Sequence, residues 1–538
     1  MLRASGGRIL FANPHTAHGR CNGTVLLSTD PSAKTWTREI PLGSSAVEAF
    51  AYSCLTHLPA DNDSVGLIFE TADPPGCAGV SCQLRFRTVS LKNDDGGVDS
   101  NSDSRAGATP TIGTPSKPVV LFPPGASAPN SSYPGGYKVF RIPAIIAHPE
   151  GRLVLAFAEG RQFGCECSTA PAEICSKDLV VRRSHDGGAT FEAMQVAVSA
   201  AAIPGGDKRD GLWNPSPVFD GVSGKLLLLF NRSPWQLNTE HDLEITPYAR
   251  ESWVAASTDS GKSFGTAQNL THLQRRTETW HSVSPGGGAI QLSDGTIVVP
   301  GCRIAMLSRF AVLFRRANPK RITVSDHVVN GAQPREGPFF GHSFLSTSGG
   351  RSWHREEKAP AIGVDENAAA PLRASDDGPP CVGQVCPGSR RLLINARNDG
   401  NCSGVVPAGT PSPSPAACGL HHRVQVTSDS GGQTWGAREV VQSLPEFSPT
   451  CGGLSRWGPM LLYSGVATTK PHDRANVTLW ISTDDGAEYP WSKLVHEGPG
   501  GYSSVAAIPQ KGGGNNSVEA LCLFELGGIS LARIAVEL

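Results

Sequence analysis

A short phrase, Ser-x-Asp-x-Gly-x-x-aromatic, recurs along the chain and constrains its fold more than any other feature. It stands complete from Ser184 to Phe191, with Asp186 and Gly188, and from Ser257 to Phe264, with Asp259 and Gly261. Looser copies run from Ser346 to Trp353, where Ser348 replaces the Asp, from Thr427 to Trp435, read with one extra residue, and from Ser482 through Asp484 and Gly486 to Tyr489. A short carboxylate can accept hydrogen bonds from the N–H groups of its own turn, and glycine takes the positive φ that such a turn needs. The aromatic is then free to tuck between neighbouring strands. Each copy follows a strand-like apolar run such as Leu179-Val180-Val181 or Val424-Gln425-Val426. One hairpin of this kind per unit, at irregular intervals, predicts an all-β chain built as the blades of a β-propeller. These boxes specify a fold and carry no chemistry.

Composition agrees. Among 538 residues there are 61 Gly and 42 Pro, a turn-rich balance, and long amphipathic helical stretches are hard to find. The formal net charge is −1 with scattered basic residues, so no nucleic-acid partner is expected. No apolar run approaches the roughly 20 residues of a membrane-spanning helix. Fourteen cysteines include the close sets Cys165, Cys167 and Cys175, Cys381 and Cys386, and Cys402 and Cys418. A metal clip would want repeated CxxC pairs or histidines at ligand spacing; neither is present, so disulfides and no metal or cofactor are expected. Sequons at Asn22, Asn62, Asn130, Asn231, Asn269, Asn401, Asn476 and Asn515 add weak support for the secretory route. The first residues, Met1 to Gly7, lack the apolar core of a signal peptide.

An internal repeat offers a reason. Gly6 to Phe11 matches Trp457 to Tyr463, and Asn22 to Asp30 parallels Asn476 to Asp484. Ala51 to Cys54 parallels Gly501 to Ser504, Leu67 to Glu70 parallels Cys522 to Glu525, and Leu84 to Arg87 parallels Leu531 to Ile534. Residues 1–92 therefore read as the tail of a preceding copy of the same domain. Residues 93–117 are polar and rich in Gly and Ser, as a flexible linker would be. A complete domain is expected from 118 to 538, with the signal peptide missing because the start is truncated.

The residues that carry chemistry lie in that domain. Phe140-Arg141-Ile142-Pro143-Ala144 is followed by Ala158-Glu159-Gly160-Arg161, and Arg182-Arg183 leads into the first hairpin box. Asn214-Pro215-Ser216-Pro217, Asp365-Glu366-Asn367, Ile394-Asn395-Ala396-Arg397-Asn398 and the run from Gly498 to Ser504 come after. Taken in this order, from about 118 to 538, the motifs resemble those of exo-α-sialidases, and the last stretches look closest to the lysosomal sialidase of animals. The resemblance implies a six-bladed propeller and removal of terminal sialic acids from glycoproteins, oligosaccharides or gangliosides. It also implies a lysosomal or secreted location.

What it implies for the site can be rationalised chemically. A sialic acid bears a carboxylate on its reacting carbon, which calls for fixed planar cations, and the family's three arginines fall on Arg141, Arg397 and Arg474. A lone Arg at a strand end is ordinarily a surface ion pair; three at matched positions reverse that reading. Glu159 and Arg161 match positions that support the cradle and line the glycerol or carboxylate side. Sialidases use a tyrosine nucleophile, whose neutral phenol repels the substrate carboxylate less than a second carboxylate would. The nucleophile and the base that takes its proton map to Tyr502 and Glu366. The bland reading of Tyr502 is a core tyrosine, but the glycines before it argue for a loop at a site.

The family's acid/base Asp has no counterpart, because no Asp lies between Arg161 and Lys177. Glu173 stands at the expected place, Glu166 is the alternative, and Asp178 is expected to begin a strand with its side chain paired structurally. The gap keeps a second reading in play, a sialic-acid-binding, lectin-like propeller that retained the arginine cradle and lost turnover. An unrelated hairpin-box propeller fits the ordered Arg, Glu and Tyr set poorly.

Overall fold

The computed structural model describes residues 109–538, except 130, 132, 134, 163–175, 238–245, 277, 306–338, 358–363, 376–377, 399–420, 471–472 and 511–513. Of residues 1–108 it describes only the course of seven strands. The chain divides into two compact units, Met1–Arg105 and Ala106–Leu538.

In the first unit, Leu2–Arg3, Ile9–Pro14, Gly23–Ser28 and Arg38–Pro41 form a four-stranded sheet, and Ser53–His57, Ser64–Thr71 and Gln83–Ser90 a three-stranded one. The second unit ends with the same order of strands. Gly453–Trp457, Met460–Val466, Ala475–Ser482 and Trp491–Pro499 make one antiparallel sheet, and Ser503–Pro509, Ser517–Glu525 and Ile529–Glu537 begin the next.

Among the described residues the second unit is all-β apart from short 3-10 turns, in a propeller-like arrangement of sheets. Its first sheet is eight-stranded, yet its halves are two antiparallel meanders joined by a single parallel bridge, Lys177 to Gly211. The halves run from Val139–Ala147 to Gln195–Val198 and from Gly211–Asp220 to Gln268–Asn269. Two more sheets follow, Glu278–Val283 to His354–Arg355 and Val364–Pro371 to Glu439–Pro445, before the two already given. The first strands of most neighbouring meanders pack against one another, Val364–Pro371 packs against Ile297–Ala305 of the meander before it, and Val139–Ala147 packs against Ser503–Pro509, so the series closes on itself.

The core lies between meanders rather than in one centre. Phe157, Leu179, Leu228 and Trp253 join the halves of the first sheet; Leu229, Val254, Val299 and Phe344 make the next seam. Val298, Ile394 and Val426, then Leu393, Leu461 and Trp480, and then Leu462, Ile481, Ala520 and Phe524 continue the series. Phe140, Ala156, Leu521 and Leu523 complete it across the closure. The closing sheet borrows from the start of the unit: Thr111–Ile112 and Val119–Phe122 both pair with Ile529–Glu537. The stretch read as a linker up to residue 117 is thus partly built into the sheet from Thr111 onward. Its Thr-Ile pair and Ser116, which bonds Arg533, supply main-chain partners that composition alone conceals.

The hairpins show why their phrase recurs. In the first, the Ser184 hydroxyl donates to Asp186 at 2.7 Å, and Asp186 accepts from the Thr190 N–H at 2.9 Å. The Gly188 N–H donates back to Ser184 Oγ at 2.8 Å. The Ser257 and Ser482 turns repeat these bonds. In the copy ending at Trp435, Ser428 rather than Thr427 opens the phrase and Ser430 holds the Asp place, accepting from the Thr434 N–H at 2.8 Å. No residue is extra there. The serine hydroxyl substitutes because the position needs one acceptor aimed at one N–H, and Ser348 does the same for Ser352. The aromatics Phe191, Phe264, Trp353, Trp435 and Tyr489 each reach the seam beside their hairpin.

Gly261 sits in one of these turns at φ +78°, where a Cβ would stand 2.3 Å from Leu155 Cδ2 of the neighbouring meander. Gly261→Ala is therefore expected to destabilise the second unit by more than about 1 kcal/mol, read as a lower urea midpoint. An unchanged midpoint would show that the turn tolerates a side chain.

Candidate active site

Four meanders begin with the same backbone irregularity. The ladder shifts register between Arg141 and Ala144, Trp213 and Ser216, Thr279 and Ser282, and Val364 and Asn367. Ile142, Asn214 and Trp280 take φ of 56°, 56° and 50° inside the first three, a conformation costly for any side chain and more so for a β-branched one. Pro143 and Pro215, which have no N–H to give, stand at bulges where the ladder is already interrupted. The motifs noticed in the sequence are largely these bulges.

Around them the structure gathers Arg141, Glu366, Arg397, Arg474 and Tyr502. The Tyr502 hydroxyl donates to Glu366 Oε1 at 2.7 Å, and Arg397 Nη1 donates to Glu366 Oε2 at 2.9 Å and to the phenol oxygen at 3.2 Å. The guanidinium carbons of Arg141 and Arg474 lie 5.3 and 5.2 Å from the centre of the Tyr502 ring. Burial holds the Tyr502 pKa well above the usual phenol value, and Glu366 adds to this while Arg397, Arg474 and Arg141 oppose it. At rest the phenol is neutral and hydrogen-bonded to Glu366.

Glu525 ties this group together. It accepts from Arg141 Nε at 2.9 Å and Nη2 at 3.2 Å, and from the backbone N–H groups of Ile142 and Tyr502 at 3.1 and 3.2 Å. Burial raises its pKa, but Arg141 and these bonds outweigh that and leave it lowered. The glycine before Tyr502 is required here, since a Cβ on Gly501 would stand 2.3 Å from Glu525 Oε2. The sequence reading overlooked Glu525. Its signal was a charge closing the apolar run Leu521-Cys522-Leu523-Phe524, echoed by Glu70 in the repeat. Asp365 is a second addition: Arg397 lies 3.6 Å from it, and the buried Cys302 thiol donates to it at 3.1 Å.

Glu159 and Arg161 meet each other. Arg161 donates to Glu159 from Nε at 3.0 Å and Nη2 at 2.6 Å, Lys177 Nζ stands 3.4 Å away, and the Asn214 N–H donates at 2.9 Å. All four residues are buried. Burial would raise the Glu159 pKa, but Lys177 and Arg161 bring it down to about 2. Asp178 is the second residue of its strand, Lys177–Ser184, and accepts from the Tyr137 hydroxyl and the Ala200 N–H, so its side chain is structural. Glu166 and Glu173 lie outside the described residues, as do Arg20 and Tyr52, the counterparts that the internal repeat gives to Arg474 and Tyr502. Cys381 and Cys386 form a disulfide, whereas Cys302, Cys451 and Cys522 are buried thiols. Among the described residues, no cluster of three potential metal ligands is found and no helix is long and apolar enough to cross a membrane.

Fold and site together define a β-propeller-like protein with an arginine-lined tyrosine–carboxylate pair. No family model matches the chain. It is 26% identical over 388 residues to a sialidase of Micromonospora viridifaciens, covering 70% of this chain and 49% of that protein. With mouse Sialidase-4 it shares 24% over 457 residues, 72% of this chain and 87% of that protein. Among solved structures it is similar to the Hadza microbial sialidase Hz136, with TM-score 0.53 and 16% identity over 94% of this chain and 76% of that one. Trypanosoma rangeli sialidase in complex with the inhibitor DANA gives TM-score 0.51 at 17% identity, over 78% of this chain and 59% of that one. The structural likenesses at such identity concern the fold. The resemblance to sialidases read from the motifs is borne out by these similarities.

Beneath the third bulge lies a buried charged cluster. Glu278 accepts from Arg303 and Arg355, each at 2.6 Å, and meets His281 Nε2 at 3.0 Å. Arg355 also pairs with Glu356, and the His342 ring stands 5.0 Å from that of His281. Burial lowers the His281 pKa to about 4, with Arg355 and Arg303 opposing Glu278, and His342 is lowered well below its usual value. A histidine depressed in the folded state takes its proton more readily when unfolded. Stability is therefore expected to fall as pH drops from about 6.5 toward 4, and His281→Gln should reduce the slope by about one proton. An unchanged slope in a pH series of unfolding curves would show that His281 does not titrate this way.

Proposed function

We propose that the chain is a retaining exo-α-sialidase that removes terminal sialic acids from glycoproteins, oligosaccharides or gangliosides. The observation that carries this reading is the Tyr502 hydroxyl, 2.7 Å from Glu366 and flanked by three guanidiniums. Arg141, Arg397 and Arg474 take the sugar's carboxylate, and the buried Glu159–Arg161 pair supports the ring-facing wall. The Tyr502 oxygen attacks the anomeric carbon while its proton passes to Glu366. The glycosidic C–O bond breaks as the leaving oxygen takes a proton from a loop carboxyl, assigned to Glu173 with Glu166 as the alternative. A water deprotonated by the same carboxylate then displaces the tyrosine, which recovers its proton from Glu366. Two inversions give retention.

The same proposal covers the architecture. Counting the singly bridged eight-stranded sheet as two meanders gives six blades, supported by the six apolar seams that close around the unit. Residues 1–92 are then a partial second copy that contributes nothing to the site, and a chain starting at Ala106 is expected to keep full turnover. Loss of turnover in that shortened chain would overturn this. Passage through the secretory pathway is supported by the Cys381–Cys386 disulfide.

Turnover of a fluorogenic sialoside tests the assignment. Tyr502→Phe is expected to lower kcat at least about 10³-fold while still binding an unsaturated sialic acid analogue. Wild-type turnover by this variant would mean that the nucleophile is misassigned, and binding without turnover by the wild type would favour the lectin reading. Glu173→Ala should cost about 10²-fold or more on substrates with poor leaving groups and far less on activated aryl sialosides. Equal losses would move the role to Glu166.

A further inference from the structure

Arg397 differs from the other two arginines of the cradle in what holds it. Arg141 is held by Glu525, and Arg474 donates to the Pro449 carbonyl at 3.3 Å, partners whose charge the proposed reaction leaves unchanged. Arg397 donates to Glu366 at 2.9 Å, and Glu366 is the group assigned to take the Tyr502 proton. Once it carries that proton, Glu366 is neutral and its ion pair with Arg397 is lost. The loss lasts from the formation of the sugar–tyrosine bond until water has broken it, when the tyrosine recovers the proton.

A second carboxylate stands at the same guanidinium nitrogen. Successive residues of a regular strand face opposite sides of the sheet. The register shift between Val364 and Asn367 breaks that alternation, and Asp365 and Glu366 both reach Arg397 Nη1, at 3.6 and 2.9 Å. Asp365 is 5% exposed, and among the described residues its carboxylate accepts one hydrogen bond, at 3.1 Å from the thiol of Cys302 on Ile297–Ala305 of the preceding meander. A buried cysteine is ordinarily a small apolar filler, and Cys302 does pack with Ile304 and Phe339. Of the three buried thiols, however, it is the one that donates to a carboxylate: Cys451 donates to backbone carbonyls, and burial is what acts on Cys522. Burial, then Asp365 and Glu366, hold the Cys302 pKa well above its usual value, with Arg250 opposing, so the thiol keeps the proton it donates. A thiol is a weak donor. It fixes the direction of the Asp365 carboxylate and leaves most of its charge for Arg397.

We propose that Asp365 is a positioning residue that keeps Arg397 in place while Glu366 carries the tyrosine's proton, and that the Cys302 thiol orients Asp365 for this task. The proposal rests on the sialidase reading and adds to it a charge partner that outlasts the proton transfer.

The test compares kcat on a fluorogenic aryl sialoside with calorimetric binding of the 2,3-unsaturated analogue of N-acetylated sialic acid. Both are measured on the full-length wild type, Asp365→Asn, Cys302→Ala and Cys302→Ser. Asp365→Asn is expected to lower kcat about 30-fold or more, yet to bind the analogue at least as tightly as the wild type, because a negative charge has left the neighbourhood of the cradle. Cys302→Ala should lower kcat about 10-fold with binding changed about threefold or less, and Cys302→Ser, which keeps a donor, should return kcat to within about threefold of the wild type. Retained binding of the analogue also shows that each variant is folded. A merely structural role would weaken binding and turnover together, and that result, or an unchanged kcat in Asp365→Asn, would overturn the role of Asp365. Equal turnover by the alanine and serine variants would overturn the role of the thiol. If the asparagine variant does not fold, the two cysteine variants carry the test. A wild type that does not turn over the sialoside would overturn the sialidase reading itself, and this inference with it.

Discussion

The pairing of Thr111–Ile112 and Val119–Phe122 with Ile529–Glu537 is the contact on which the site depends. A ring of meanders held only by sequential seams would leave one open edge and one uncovered apolar face. Here main-chain bonds between the beginning and end of the unit close it, and side chains such as Phe122, Phe140 and Leu521 fill the joint. The chemical consequence is immediate. Arg141 and Glu525 are 384 residues apart, yet the same joint brings them together, and Glu525 also fixes the backbone of Tyr502. Closure and the assembly of the site are one event.

Once closed, the site is governed by charge balance at low exposure. Three guanidiniums surround a phenol, with Glu366 and Glu525 among them, so every cation near the ring is oriented before a ligand arrives. Preorganised charge of this kind works because water is largely excluded and little reorganisation is needed when an anion binds. The Glu159–Arg161–Lys177 cluster extends the same principle behind the wall, where each buried charge has an opposite within reach.

Much of this was legible in the sequence, for identifiable reasons. The hairpin phrase is local: its bonds run between residues two and four apart, so spacing alone reveals it. Even so, Ser430 shows that the phrase tolerates any short acceptor, which is why its register was misplaced by one residue. The Arg, Glu and Tyr set was legible because its members stand in ordered motifs. Glu525 was less so, because the charge closing its apolar run marks the position while its partner, Arg141, stands across the closure. The start of the second unit was obscured for a different reason, since main-chain pairing at Thr111 asks little of side-chain composition.

The repeated bulge has a consequence for how such a protein can change. Each one lifts a few residues out of the ladder while the strands on either side keep their pairing and their seams. What occupies the bulge is therefore largely uncoupled from what holds the meander together. One bulge presents Arg141, another Trp213, another Trp280 and another Asp365 and Glu366, all on the same backbone device. The ring acts as a set of equivalent sockets, and a new ligand preference can be acquired one socket at a time without renegotiating the fold.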